Sequence, residues 1–154
     1  MKHTRIINVI FITITLLLSS QTNCLTAEIS FGELVDKITI LTIKTKNITD
    51  PEKLKNVYTE LDSLQDSYNQ YIGDHDDVAQ LQAELQKINK MLWDIEDAIR
   101  IKERNQEFDD EFIVLARGVY TTNDKRCALK KKIDILLGSH ITEEKSYEEH
   151  TSKT

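Results

Sequence analysis

The densest polar chemistry in this chain is the run Tyr120-Thr121-Thr122-Asn123-Asp124-Lys125-Arg126. A carboxamide beside two cations suits an anion such as a phosphorylated sugar. Glu33, Asp36 and Glu144 are acidic residues that complete a candidate ligand-binding set with Asn123, Lys125 and Arg126. The run also falls inside a helical stripe of Phe112, Leu115, Val119, Thr122, Arg126, Leu129, Ile133 and Leu136. Thr122 and Arg126 therefore occupy positions where a bundle normally buries Leu or Ile. If the helix is continuous, they form a polar layer that fixes which helices pair and in what register. If it breaks and restarts at Asn123, freed amides next to Lys125 and Arg126 make a small anion site. The layer is the preferred reading.

Other reactive-looking groups have simpler explanations. Asp74, His75, Asp76 and Asp77 offer metal ligands, but they sit in a turn where acidic residues cap a helix. The charged run Asp94, Glu96, Asp97, Arg100, Lys102, Glu103 and Arg104 fits a solvated face with paired charges. Trp93 beside Leu92 fits the edge of a packed seam better than a sugar platform. Cys127 next to Lys125 and Arg126 is a small helical residue before it is a reactive thiol. The four glycines, Gly32, Gly73, Gly118 and Gly138, are isolated, so there is no phosphate-cradling loop or dinucleotide fingerprint. No catalytic residue, metal ligand set or cofactor motif is assigned, and a non-enzymatic role is favoured over an enzymatic one.

These residues need helices to hold them, and the sequence predicts four, about 30–46, 51–71, 76–104 and 109–137. Ser30 followed by Glu33 has capping-box spacing. Phe31, Leu34, Ile38 and Leu41 give the first helix its face. Ile38, Ile40 and Ile43 alternate with threonines in a way that also suits a strand, but no second strand is available to pair with it. A helix apolar on several faces belongs between others or at a subunit contact. Asp50 and Pro51 open the second helix, whose seam is Leu54, Val57, Leu61, Leu64, Tyr68 and Tyr71. The third carries Val78, Leu81, Leu85, Ile88, Leu92, Ile95 and Ile99. Asp109 and Asp110 open the fourth, which stops at Gly138.

Such narrow stripes and short breaks predict an all-α, antiparallel, coiled-coil-like bundle of four helices. The last two helices, each roughly 43 Å long, fold back near Asn105 and Gln106. That places Arg126 near Leu85 and Ile88, and Thr122 near Leu92. Arg126 then needs a counter-charge, and Glu84, Glu33 and Asp36 are the candidates. Ile141 and Tyr147 are the apolar residues available to tack down the polar tail, of which 148–154 is the end.

The chain of 154 residues suits one helical domain, 28–147, after a leader. Lys2, His3 and Arg5 precede apolar Ile6 to Leu18 and a polar stretch, which reads as a signal peptide over 1–27. Cleavage after Ala27 is expected, with cleavage after Cys24 as the competitor. At roughly 20 Å, the apolar stretch 6–18 is short for a membrane span; retained anchoring there is the alternative to export into a periplasmic or extracellular space. Removing Lys2 and Arg5 from the 20 basic residues leaves 18 against 26 acidic ones, a formal charge of −8. Nucleic acid is a poor partner for such a chain. The mature chain keeps Cys127 alone, so it forms no internal disulfide.

Four stretches carry a resemblance: Ser30-Phe-Gly-Glu-Leu-Val-Asp-Lys-Ile-Thr-Ile-Leu41, Leu92-Trp-Asp-Ile-Glu-Asp-Ala-Ile-Arg100, Tyr120 to Arg126, and Glu143-Glu-Lys-Ser-Tyr147. Together they make residues 29 to 147 similar to the bacterial domain of unknown function 6165. The resemblance implies a bacterial source and a compact helical domain, and it supplies no activity. An association with glycan-building enzymes comes with the resemblance alone, and the export signal departs from the family pattern. Two functions follow as expectations. The first is an exported, non-enzymatic module acting on a protein partner or a second copy of itself. The second is an accessory protein or enzyme that binds an anion or phosphorylated sugar in glycan assembly.

Overall fold

The computed structural model describes residues 25–146; residues 1–24 of the expected signal peptide, and Tyr147, lie outside them. The protein is an all-α four-helix bundle: α1 Phe31–Asn47, α2 Pro51–Tyr71, α3 Asp76–Asn105 and α4 Asp110–Leu136. Each start follows from its cap. The Ser30 hydroxyl accepts from the Glu33 N–H, Asp50 from Glu52 and Lys53, and Asp109 from Phe112. His75 precedes α3 without a side-chain cap bond, so the acidic residues near it, Asp76 and Asp77, act from inside the first turn. Gly138, at φ 64°, follows α4 in the left-handed conformation, and the Ser139 N–H returns to the Asp134 carbonyl.

The segment with strand-like alternation is α1, and its position explains the alternation. It packs against all three other helices, whereas α2 packs on α1 and α3 pairs with α4. A helix with three neighbours buries most of its circumference, so Leu34, Val35, Ile38, Leu41 and Ile43 are all inside. The threonines avoid a solvation penalty by donating backward along the helix, Thr39 to the Asp36 carbonyl and Thr42 to Ile38. Val35, Val78, Leu85, Leu129 and Ile133 form the core, with Phe31, Tyr68 and Ile72 packed onto it.

Two seam assignments are corrected. Tyr71 and Leu136 are exposed, and Ile72 and Leu137 take their places beside the core. In both helices the last step is four residues, Tyr68 to Ile72 and Ile133 to Leu137. A straight helix at 3.6 residues per turn drifts from a strict three-four repeat over its length.

At 17 residues α1 is roughly 25 Å long, against roughly 45 Å for the 30 residues of α3. The α3–α4 hairpin therefore extends past α1. Its turn places Gln106 at φ 56°, a left-handed position, where the fold-back is expected. Lys102 is drawn to Glu107, Asp109 and Glu111 across this turn. Among the described residues, no helix is long and apolar enough to cross a membrane.

Candidate functional site

Arg126 points from α4 toward α1 and meets Asp36, a fully buried carboxylate. Its Nε donates to Asp36 Oδ1 at 2.9 Å, and its Nη2 donates to Oδ2. This two-point contact matches the planar fork of guanidinium to carboxylate. The hydrogen bond to Asp36 outweighs burial and holds the Arg126 guanidinium above its ordinary pKa.

A third helix closes the layer. Asn89 Nδ2 on α3 donates to Asp36 Oδ1 and to Thr39 Oγ1, each at 2.8 Å. An ionised carboxylate can only accept, so these bonds fix which end of the Asn89 carboxamide faces α1. One carboxylate on the central helix thereby holds α3 and α4 in register.

One turn toward the start of α1, a second set of contacts repeats the theme. The Gly32 N–H donates to the buried Asp134 Oδ1 of α4 at 2.6 Å, which puts a carboxylate at the N-terminus of α1. This requires close approach: a Cβ on Gly32 would lie 2.4 Å from the Lys130 carbonyl oxygen. The Lys130 ammonium bridges Glu33 Oε2 at 2.6 Å and Glu143 Oε2 at 2.7 Å. Burial acts to lower the Lys130 pKa, but the hydrogen bonds to Glu143 and Glu33 prevail and hold it above its ordinary value. Through Glu143, the segment after α4 lies back along that helix. Lys131 reaches Glu144 at 3.4 Å, and Lys145 Nζ lies 2.5 Å from Cys127 Sγ.

A family model described as a family of unknown function, DUF6165, matches residues 25–154. The chain belongs to the DUF6165 family. No curated protein and no solved structure matches it.

In this DUF6165 chain the candidate residues separate into two groups. Asp36 and Arg126 meet directly, with Asn123 Oδ1 at 3.5 Å from Arg126 Nη1, and Glu33 lies close by on Lys130. Lys125 is exposed, and Glu144 is exposed on Lys131. Of the three counter-charges considered, the structure selects Asp36; Glu84 instead lines an outer groove with Lys132. The helix α4 is unbroken through Asn123, so its amides there are engaged in the helix.

Asn89, Thr39, Lys130, Asp134 and Glu143 belong to the same polar assembly and escaped the sequence reading. Asn89 had a signal in its spacing. It lies four residues after Leu85 and three before Leu92, on the extra stripe that a helix touching two neighbours must bury.

Beside this layer is a cavity of about 340 Å³ between α1, α3 and α4, whose walls include Ile40, Asn89, Leu92, Trp93 and Arg126. Among the described residues no group of His, Cys, Asp or Glu is placed to hold a metal ion.

Proposed function

We propose that this DUF6165 chain is an exported, non-enzymatic helical module that acts through protein contacts. The observation that carries the reading is the far end of the α3–α4 hairpin. There Ile101, Phe108, Ile113 and Val114 are all strongly exposed, Phe108 by 60% and Val114 by 67% of their surface. Single exposed apolar residues are ordinary, but four around one turn of a projecting hairpin make a surface suited to a partner helix or a second copy.

The polar assembly supports the same reading. Asp36 compensates Arg126, and Glu33 with Glu143 compensates Lys130. An added anion gains little attraction from cations already engaged in this way, which weighs against the anion or phosphorylated-sugar reading. Export rests on the amino-terminal pattern of charge, apolar run and polar flank.

The test is capture with tagged wild type, co-expressed with an untagged copy, against the variant Ile113→Glu with Val114→Glu. A protein or second copy held by wild type and lost by the variant supports the reading. A wild type that is monomeric and holds nothing reproducible refutes it. Sequencing the mature amino terminus tests export, with Glu28 as the expected first residue.

A further inference from the structure

One wall of the cavity beside the polar layer is itself part of that layer. Asn89 is only 4% exposed and lines the cavity. Both Nδ2 hydrogens are used on Asp36 and Thr39, and since no buried side-chain oxygen among the described residues is left unpaired, the carbonyl Oδ1 is the end of the amide open to the cavity. Arg126 lines the same cavity. Asp36 takes its Nε and one Nη2 hydrogen, and the contact of Nη1 with Asn123 is long at 3.5 Å. The inner wall therefore offers an acceptor and unused donors side by side.

The charges decide which ligand suits these groups. Arg126 is compensated by Asp36, and at the rim Arg100 is compensated by Glu96 at 2.9 Å. With Asp97 also at the rim, and Asp36 behind Arg126, the cavity and its backing hold three carboxylates, Asp36, Glu96 and Asp97, against two guanidinium groups. An anion is therefore disfavoured. A hydroxyl both donates and accepts, so neighbouring hydroxyls satisfy Asn89 Oδ1 and Arg126 together, while the rim carboxylates accept from others. The remaining wall, with Trp93, Leu92 and Ile40, suits apolar C–H faces. A ring with hydroxyl edges and C–H faces has both properties, and the volume falls within the range of small-ligand sites, about 300–1,000 Å³.

We propose that the cavity between α1, α3 and α4 binds a neutral saccharide ring through Asn89, Arg126 and Trp93. This site is separate from the hairpin end, so it stands or falls independently of the protein-contact reading.

Trp93 is the chain's one tryptophan, which makes intrinsic fluorescence a local reporter. The experiment titrates the full chain with methyl glucoside, methyl galactoside and methyl N-acetylglucosaminide, following Trp93 emission and the Asn89 side-chain amide by NMR. At least one glycoside is expected to shift both signals saturably, with a midpoint on the order of 1 mM. Ile40→Phe, which fills the cavity, is expected to weaken the response at least tenfold with helicity unchanged, and Arg100→Ala at the exposed rim to weaken it several-fold. The proposal is overturned by a flat response to all three glycosides up to about 50 mM, more than tenfold beyond the expected midpoint. It is equally overturned by a response that survives Ile40→Phe, or by one given only by inorganic phosphate. Should Ile40→Phe fail to fold, Arg100→Ala and the Asn89 signal decide.

Discussion

At Asp36 a carboxylate with no exposed surface accepts from Arg126 on α4 and Asn89 on α3. Replacing Arg126 with Leu would leave that charge buried with the Asn89 amide as its remaining donor. Arg126→Leu is therefore expected to destabilise by about 3–5 kcal/mol, read from the urea midpoint. Adding Asp36→Leu to the same chain removes the stranded charge and should recover most of the loss. A double variant no better than Arg126→Leu would contradict the layer as described. Gly32 tests the other close contact. Gly32→Ala drives a methyl into the Lys130 backbone and strains the Asp134 bond, for an expected cost of about 3 kcal/mol. That Arg126 needs an acid was readable from its place in an apolar stripe. Which acid it meets was not, because the choice among Glu84, Glu33 and Asp36 depends on how helices distant in sequence are rotated against one another.

Helix starts were the most legible elements, since Ser30, Asp50 and Asp109 each carry a local hydrogen bond that the sequence already specifies. Helix ends and seam edges were less so: Tyr71 and Leu136 kept the expected spacing but lost their places to neighbours as the stripe drifted. The α3–α4 turn offers a direct test. Gln106 holds a left-handed conformation that side chains disfavour, so Gln106→Gly should raise stability by about 0.5–1 kcal/mol.

The segment after α4 is held by charge and should respond to pH. The hydrogen bond from Lys130 keeps the Glu143 carboxyl below its ordinary value of 4.5. Its contribution is thus complete above that ordinary value and is lost as pH falls through the lowered one. Lys130 behaves oppositely. Its pKa is raised above 10.5, so its contribution persists below that value and is lost only in stronger alkali. Backbone relaxation of residues 141–145 should show this segment loosening under acid before α1 to α4 unfold. Loss of order together with the helices would contradict the latch.

Across the whole molecule, the short central helix and the longer hairpin divide the labour. The end covered by α1 holds the core and the polar layer, and the projecting end presents apolar side chains to solvent. The four-helix class was legible because α2, α3 and α4 each keep one helical period, and the strand-like alternation of α1 had no second strand to pair with. The polar assembly was legible only in part, because Asn89, Lys130 and Asp134 look like ordinary surface residues until α1 is laid against them. The protein-contact reading is tested most directly by capture with the wild-type chain and with Ile113→Glu, Val114→Glu, in the presence of an untagged copy. Wild type is predicted to retain a reproducible protein partner or the untagged copy, and the hairpin variant, equally helical, to lose it. Equal capture by both chains, or capture by neither, would contradict it.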